Sequence, residues 1–234
     1  MNKTILVTGA SRGLGLCFTK KYLEDGETVF AGVRDLSAPA LKALKDRYPD
    51  TLIPVILDVT DSKSVDEAAT VITKYTQSLD MVINNAAIHN SSSFEIIEKA
   101  DIDDCLPVYN VNSLGPLRVI KALIPLIRKS ASAKIINISS ESGSISTCGR
   151  EKEFDYCMSK AALNMGTKLL SNYLRKDKII VLAVHPGWMR TDMGGSNAVL
   201  DPYENACRLV ELFKHIDNTD SPTFIDNRGQ SYLW

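Results

Sequence analysis

The sequence lacks an excess of charge of either sign. Lysine and arginine total 27 and aspartate and glutamate total 28, so the 234 residues carry a formal net charge of −1. Proteins that bind nucleic acids or anionic membranes through bulk charge need a basic surplus. We therefore expect no nucleic-acid partner and no electrostatic attachment to a membrane.

Long hydrophobic runs are absent as well. No stretch of the sequence approaches the roughly 18 apolar residues that a membrane-spanning helix requires. Residues 1–4 lead directly into a short strand-like run, without the longer apolar segment and cleavage site of a signal peptide. These features predict a cytoplasmic protein that does not cross a membrane.

Cysteines are few and scattered. The five cysteines form no Cys-x-x-Cys pair, and the three histidines stand at no ligand spacing from them. Disulfide frameworks and structural zinc sites depend on such clusters. We expect reduced thiols and no metal site.

The hydrophobic 44% of the sequence is enough for a sizeable core and excludes wholesale disorder. Short β-branched runs alternate with segments of helical periodicity, which predicts a parallel, doubly wound α/β sheet (a Rossmann fold) in one domain, 1–234. Loops at about 88–100, 141–155 and 186–201 are candidates for substrate binding. The strand predictions are Thr4–Val7, Thr28–Val33, Leu52–Leu57, Met81–Ile83, Lys134–Ile138, Ile179–Val184 and Phe224–Ile225.

A glycine-rich turn follows the first predicted strand. Its glycines allow a tight turn and let backbone N–H groups approach a pyrophosphate at the start of the next helix. An ordinary strand-to-helix turn is the alternative, which the position after the first strand disfavours. The residues that we expect to contact the phosphates are Gly9, Ser11, Arg12, Gly13, Leu14 and Gly15.

Two arginines favour NADP(H) over NAD(H) as the cofactor. Arg12 lies in the glycine turn, and Arg34 follows the second strand, where an NAD-binding site usually has an acidic residue. A guanidinium binds a 2′-phosphate well. Asp35 leaves NAD(H) possible, because it could bind the ribose instead. Asp58 and Val59 stand where the adenine would lie, although Asp58 is nearly as well explained as a helix cap.

A tyrosine and a lysine four residues apart, Tyr156 and Lys160, would share one face of a helix. The pair is weak evidence alone, but Ser139 and Ser140 end a predicted strand upstream, at the edge where α/β sheets bind ligands. The further motifs along the chain are Thr8-Gly9-x-x-x-Gly13-x-Gly15, Asp58-Val59, Asn84-Asn85-Ala86-Ala87, Asn112, Ser140, Tyr156-x-x-x-Lys160, and Pro186-Gly187 with Thr191. With these motifs the chain resembles the short-chain dehydrogenases/reductases. More narrowly, His185-Pro186-Gly187-Trp188, Thr191-Asp192-Met193-Gly194-Gly195 and the Gly229…Leu233-Trp234 ending resemble the C-factor/sniffer-like carbonyl reductases.

The resemblance implies a catalytic set. Tyr156 would be the acid/base, Ser140 would hold the carbonyl oxygen, and Lys160 would bind the nicotinamide ribose and favour the phenolate by about three pKa units. Asn112 would support a proton path, with a helix-embedded polar residue as the alternative. Further cofactor contacts are implied at Asn85, Ala86, Pro186, Gly187, Trp188 and Thr191.

Two departures from the family pattern stand out. Ala87 replaces the usual glycine after the paired asparagines, and the separation of Ser140 and Tyr156 is several residues longer than usual, with charged residues at 149–153. We expect those extra residues to form a solvated bulge.

The segment Val111–Ile127 has apolar residues on more than one face, which predicts either full burial or pairing with another subunit. The resemblance implies a homodimer or homotetramer. The predicted function is NADP(H)-dependent reduction of a small-molecule carbonyl substrate, or oxidation of the alcohol. The alternatives are a dinucleotide-binding signalling or sensor protein with little turnover, and a steroid or polyol dehydrogenase that works oxidatively.

Overall fold

Seven parallel strands form one sheet, in the order β3-β2-β1-β4-β5-β6-β7. The computed structural model describes residues 2–217, 219 and 223–234. The fold is therefore the doubly wound α/β fold that the sequence predicts. The strands are β1 (Thr4–Thr8), β2 (Thr28–Val33), β3 (Leu52–Ile56), β4 (Met81–Asn84), β5 (Lys134–Ile138), β6 (Ile180–Val184) and β7 (Phe224–Ile225).

Helices cover both faces of the sheet. They are α1 (Gly13–Glu24), α2 (Pro39–Arg47), α3 (Ser62–Thr73), α4 (Cys105–Tyr109), α5 (Gly115–Ile127), α6 (Phe154–Leu174) and α7 (Pro202–His215). A π-helical turn, Asn110–Leu114, joins α4 to α5, and short 3-10 turns lie at Ser91–Phe94, Ile102–Asp104, Glu141–Gly143 and Arg175–Asp177.

The core has two layers because the strands are apolar on both faces. On one side, Phe18 of α1 and Phe213 of α7 pack with their ring centroids 6.1 Å apart. On the other side, Ile72 of α3 and Leu123 of α5 are buried against the sheet. Because every strand pair in the sheet is parallel, the carboxyl ends of the strands lie at one edge.

Capping residues lie at the ends of three helices. The side chain of Asp61 accepts a hydrogen bond from Lys63 N at 2.9 Å, and Asp201 accepts from Tyr203 N at 2.9 Å. Pro202 occupies the first turn of α7. Gly26 follows α1 with φ of 81°, a conformation that glycine adopts without strain.

Full burial of the segment Val111–Ile127 is wrong, since Leu117 is exposed, and pairing of this segment with another subunit stays a prediction. The π-helical turn interrupts the segment, and the α5 part has one buried face that includes Val119, Ile120 and Leu123, with Leu117 exposed. The interruption shifts the helical phase, so the apolar positions before and after it do not form one stripe.

The strand order reverses between β1 and β4, which are neighbours although β2 and β3 follow β1 in sequence. Ligands of open α/β sheets bind in the crevice at the carboxyl ends of the strands beside such a reversal. The candidate site lies at this crevice.

Candidate active site

The turn after β1 is shaped by close backbone packing. Gly9 and Gly13 have φ of 67° and 54°. A Cβ at Gly9 would lie 2.9 Å from Ala86 Cα, and one at Gly15 would lie 2.3 Å from Gly9 O. Only glycine fits such approaches, so the turn keeps its backbone open at the start of α1, as a pyrophosphate would require.

Side chains of neighbouring strands hold this turn in place. Thr8 Oγ1 accepts hydrogen bonds from Asn85 N at 3.0 Å and Ala86 N at 3.1 Å. Asn85 Nδ2 donates to Thr8 O at 2.9 Å. The turns after β1 and β4 are thus one hydrogen-bonded unit. Ala87 has no positive φ, so an alanine replaces the usual glycine there without backbone strain.

The remaining residues of the glycine turn differ in exposure. Leu14 is 7% exposed and packs into the core, so it can offer a cofactor only its backbone. Ser11 is half-buried, whereas Arg12 is exposed. Arg12 forms an ion pair with Asp192, which connects the glycine turn to the loop after β6.

The other predicted phosphate-binding arginine, Arg34, is exposed at the end of β2. Its competitor Asp35 is engaged locally, because Oδ1 accepts from Ser37 N at 2.8 Å and Oδ2 from the Ser37 hydroxyl. These bonds hold the pKa of the Asp35 carboxyl below its usual range. This local turn favours Arg34 as the group that faces a ribose phosphate.

Asp58 forms a turn of its own. Its carboxylate accepts from the Thr60 hydroxyl at 2.7 Å and from Thr60 N at 2.8 Å. These bonds, with a smaller effect of Arg34, keep the pKa of Asp58 below its usual range. Val59 is buried, and a Cβ at Gly115 would lie 2.8 Å from its Cγ2. The helix-cap alternative for Asp58 is wrong, because Asp61 caps α3 and the Asp58 carboxylate binds Thr60, which precedes the helix.

The loop after β6 closes the crevice. Gly187 has φ of 83°, and Pro186 O accepts from the buried Asn205 Nδ2 at 2.6 Å. Trp188 is 53% exposed, and its indole N–H donates to Gly194 O at 2.8 Å. Thr191 Cγ2 lies 3.7 Å from the Cβ that a side chain at Gly13 would have. The loop and the glycine turn therefore face each other.

Ser140, Tyr156 and Lys160 come together at the end of β5. The Ser140 hydroxyl donates to Ser142 Oγ at 3.1 Å and accepts from Ser142 N at 3.1 Å, and it lies near enough to the Tyr156 phenol to lower its pKa. Lys160 lies one helical turn below Tyr156, with Nζ 5.5 Å from the centre of the Tyr156 ring, and donates to Ile138 O at 2.8 Å. The neighbouring Ser139 points the other way and donates to Asn164 Oδ1 at 2.6 Å. Ser140 is thus the serine of the pair that faces the tyrosine.

The electrostatics of this pair differ from the sequence expectation. Loss of hydration raises the pKa of Tyr156 to about 12, although the nearby Ser140 hydroxyl lowers it. Burial lowers the pKa of Lys160 to about 7. The expectation counted the attraction between ammonium and phenolate but not the cost of burying both groups.

Asn112 lies within the π-helical turn and is 1% exposed. Its Nδ2 donates to Ile88 O at 2.8 Å and to Ser159 Oγ at 3.0 Å, and its Oδ1 accepts from Ile88 N at 2.9 Å. The π turn thus directs this amide at the backbone after β4 and at the tyrosine helix. π turns often occur at functional sites.

Sequence reasoning missed Asp155, which is 5% exposed and adjacent to Tyr156. Its Oδ2 accepts from the Ser93 hydroxyl at 2.6 Å and from Asn90 N at 3.2 Å. This carboxylate attaches the 88–100 loop to the start of α6. An aspartate in the first turn of a helix is usually explained by its favourable interaction with the helix dipole. The sequence therefore gives no signal of this long-range contact.

Neither a metal cluster nor a membrane-spanning helix is present among the residues that the structure describes. In that part of the chain, no three His, Cys, Asp or Glu side chains are grouped so that they could hold a metal ion. No helix within residues 2–217 and 223–234 is long and apolar enough to cross a membrane.

Comparison with known proteins assigns the family. Residues 3–199 match the family model described as short chain dehydrogenase. The C-signal protein of Myxococcus xanthus is 32% identical over 156 residues, covering 67% of this chain and 93% of that protein. The crystal structure of an NADPH-bound carbonyl reductase from chicken fatty liver is 32% identical and superposes with a TM-score of 0.91, over 100% of this chain and 99% of that one.

The carbonyl reductase Sniffer of D. melanogaster is similar over the full length of both chains, with 30% identity and a TM-score of 0.91. The doubly wound sheet with a glycine turn beside its strand reversal places the chain in the class of Rossmann-fold proteins. Within that class, the chain belongs to the short-chain dehydrogenase/reductase family.

Proposed function

We propose that this chain is an NADP(H)-dependent carbonyl reductase in which Tyr156 donates the proton. The observation that carries the proposal is the grouping of Ser140, Tyr156 and Lys160 after the carboxyl end of β5, with Lys160 Nζ 5.5 Å from the centre of the Tyr156 ring. A proton donor and a hydroxyl anchor at the strand edge are what the reduction of a carbonyl group requires.

The backbone cradle fits a dinucleotide, because Cβ atoms at Gly9 and Gly15 would fill it. Bound NADPH would supply the hydride. The solved carbonyl reductase that contains NADPH supports this choice of cofactor, and the exposed Arg34 supports a 2′-phosphate. The residues that would hold the cofactor are Gly9, Ser11, Arg12, Gly13, Leu14, Gly15, Arg34, Asp58, Val59, Asn85, Ala86, Tyr156, Lys160, Pro186, Gly187, Trp188 and Thr191.

In the proposed reaction, the Ser140 hydroxyl binds the carbonyl oxygen and Tyr156 transfers its phenolic proton to that oxygen. The raised pKa keeps the phenol protonated at neutral pH, which suits the direction of reduction. Lys160 and Asn112 would return a proton to the tyrosine, since Lys160 titrates near neutrality and Asn112 is hydrogen-bonded to the tyrosine helix through Ser159. Alcohol oxidation would use the same groups in reverse.

The test is NADPH consumption with a panel of ketones, aldehydes and quinones, for the wild type and Tyr156→Phe. We expect at least a thousandfold loss of kcat in the variant, with NADPH affinity unchanged within about threefold. Tyr173→Phe, on the exposed face of the same helix, is the matched control and should keep its activity. Absence of turnover with every substrate and both cofactors would refute the proposal.

The relative named C-signal favours a second candidate, a dinucleotide-binding signalling protein with little turnover. The same experiment separates the two functions. A reductase loses a measurable activity in Tyr156→Phe, whereas a signalling protein binds NADPH with or without the phenol and shows no turnover to lose. An oxidative steroid or polyol dehydrogenase would instead turn over alcohols faster than carbonyls.

We also propose a homodimer through the helices α4, α5 and α6. Monomeric proteins rarely expose a contiguous apolar surface, and these helices present one that a second copy would cover in an isologous contact. Sedimentation of Met165→Glu/Leu169→Glu should give a monomer where the wild type gives a dimer. The exposed apolar residues are Leu106, Tyr109, Leu117, Met158, Met165, Leu169 and Tyr173.

A further inference from the structure

A single arginine joins the two ends of the segment between Ser140 and Tyr156. Arg150 Nη2 donates to Glu141 Oε1 at 2.5 Å, and Arg150 Nη1 donates to Glu153 Oε2. Glu141 directly follows Ser140, and Glu153 precedes the first residue of α6. The charged bulge expected from the sequence is therefore folded back, with its guanidinium between the serine turn and the tyrosine helix.

The bridge is partly shielded from water. The side chains of Arg150, Glu141 and Glu153 are 36%, 35% and 18% exposed. Two carboxylates on one planar guanidinium form a network, which contributes more than an isolated surface pair, and its partial burial reduces screening by salt. Ser146 N, in the middle of the segment, donates to Trp234 O at 2.8 Å, so the loop is also anchored away from the bridge.

Glu153 adopts a backbone conformation that needs external support. Its φ of 63° and ψ of 41° are left-handed, which is uncommon for a residue with a Cβ. Its N–H donates to Ser93 O at 2.8 Å, its carbonyl accepts from Cys157 N at 2.9 Å, and its carboxylate binds Arg150. The start of the tyrosine helix therefore depends on contacts that the bridge completes.

The same bridge controls the charge around the phenol. The groups that act on the pKa of Tyr156 besides its burial are the Ser140 hydroxyl, the carboxylates of Glu141 and Glu153 and the Cys157 thiol. The Lys160 amine lies 5.5 Å from the centre of the Tyr156 ring. Burial is the largest cause of the raised pKa of Tyr156, and both carboxylates raise it further. His185 lies beside Glu141 and accepts from Glu141 N at 3.0 Å. Without Arg150, two uncompensated negative charges would face the phenol.

We propose that Arg150 is a positioning residue for the reaction of Tyr156: it holds the serine turn against the tyrosine helix and neutralises the two carboxylates beside the phenol. This inference rests on the proposed carbonyl reductase function. It predicts that removal of the guanidinium changes both the position and the pKa of Tyr156. Removal of an arginine that only supports the fold would leave the pKa of Tyr156 unchanged.

The test is the pH dependence of kcat/KM for alcohol oxidation, which requires the phenolate and rises with pH. In Arg150→Met the midpoint should move up by about one pH unit, because the carboxylates lose their counter-charge, and the plateau should fall about tenfold. In Glu141→Gln/Glu153→Gln the midpoint should move down, because the guanidinium then stands alone. Arg150→Lys should restore the midpoint partly, without the two-pronged geometry.

Arg128→Met is the matched control, since Arg128 forms a similarly exposed ion pair with Asp177, away from the site. Its midpoint should equal that of the wild type. An unchanged midpoint in Arg150→Met, or shifts of the same sign in Arg150→Met and Glu141→Gln/Glu153→Gln, would overturn the proposal.

The proposal can also be tested without turnover. If the wild type reduces no carbonyl, the proposed function fails, but Tyr156 can still be titrated by NMR with tyrosine labelled at Cζ, its signal assigned by its loss in Tyr156→Phe. The Tyr156 signal should titrate at higher pH in Arg150→Met and at lower pH in Glu141→Gln/Glu153→Gln. Equal titration in all three proteins would overturn the role of Arg150. Because the glutamine variant keeps Arg150, it decides the question if Arg150→Met does not fold.

Discussion

The glycine turn and the segment from Ser140 to Tyr156 are built in opposite ways. The turn is made of backbone, with Gly15 so close to Gly9 that a Cβ would lie 2.3 Å from the Gly9 carbonyl oxygen. The catalytic segment is made of side chains, with a buried Lys160, a half-buried Tyr156 and the charged bridge of Arg150. The glycine turn leaves no room for a Cβ atom, whereas in the catalytic segment opposite charges compensate each other.

This difference decides how each region tolerates change. A steric exclusion between backbone atoms cannot relax without opening the turn, so one methyl group should be enough to damage it. A balance of charges can be shifted gradually, by pH, by salt or by a single carboxylate. The four predictions below test this contrast.

The largest effect is expected for Gly15→Ala. Its Cβ would meet Gly9 O at 2.3 Å and Asn85 Nδ2 at 2.5 Å, so the unit that joins the turns after β1 and β4 must open. We expect NADPH affinity, measured by fluorescence titration, to fall more than about a hundredfold, and the free energy of unfolding to fall by about 3 kcal/mol. Gly149→Ala, in the charged bulge, is the control, because no atom lies within 4 Å of its Cβ. Its stability should change by less than about 0.5 kcal/mol, and equal losses in both variants would contradict the steric account.

A smaller effect is expected for Arg34→Ala. Loss of a charge-assisted contact to the 2′-phosphate should weaken NADPH binding about thirtyfold and leave NADH binding within about twofold. Dissociation constants from titration calorimetry give the ratio. Arg47→Ala, which removes an exposed arginine at the end of α2, should affect neither cofactor. A parallel loss for NADPH and NADH would show that Arg34 does not distinguish them.

Lys160→Met should make the cofactor-free protein more stable at neutral pH, although it removes a proposed catalytic residue. Burial lowers the pKa of Lys160 to about 7, so between about pH 7 and the usual lysine value the folded chain binds fewer protons than the unfolded chain. The free energy of unfolding of the wild type therefore rises with pH across that window. Below about pH 7, the buried Lys160 amine destabilises the folded protein most. We expect a gain of about 1 to 3 kcal/mol at pH 6, reduced by the lost bond to Ile138 O and vanishing towards pH 10.

Chemical denaturation at pH 6 and pH 10 measures this difference. Lys168→Met, an exposed lysine on the same helix, provides the comparison and should show no pH-dependent gain. If Lys160→Met is less stable than the wild type at pH 6, the folded protein stabilises the charged amine of Lys160 more than its burial indicates.

The smallest effect is expected for Asp192→Asn. The carboxylate pairs with Arg12, and both side chains are more than two thirds exposed, so the pair is screened and weak. Freed from it, Arg12 should bind the cofactor phosphate slightly better, with a two- to threefold gain in NADPH affinity at low salt that disappears at high salt. Asp66→Asn, an exposed carboxylate on α3, should give no gain. A loss of affinity would mean that the pair helps to order the crevice.

Local patterns explain why much of the fold is predictable. The strands are continuous apolar runs, and the caps at Asp61 and Asp201 depend on contacts within three residues. Strand bounds therefore differ from the predictions by one residue at most. Helix α2 was not predicted, because it is short and polar, and only Leu41 and Leu44 are buried among its nine residues.

The site was predictable where its chemistry depends on short motifs and not where it depends on distant contacts. The pairing of Ser140 with Tyr156 follows from the motif, whereas the contact of Asp155 with Ser93 spans 62 positions. The pKa values of Tyr156 and Lys160 depend on burial, which residue spacing does not reveal. The ion pair of Arg12 and Asp192 likewise joins residues 180 positions apart.

The π-helical turn at Asn110–Leu114 has a consequence for insertions and deletions. A π turn accommodates one residue more than an α-helical turn, and each residue of an α-helix advances its direction by about 100°. Deletion of one residue there would give an uninterrupted helix from α4 to α5, and it would rotate one half against the other by that angle. Either the face of α5 that packs on the sheet or the amide of Asn112 would then lose its place. With the extra residue, one continuous helical segment can direct α5 towards the core and Asn112 towards the reaction crevice, although these lie in different directions around the helix axis.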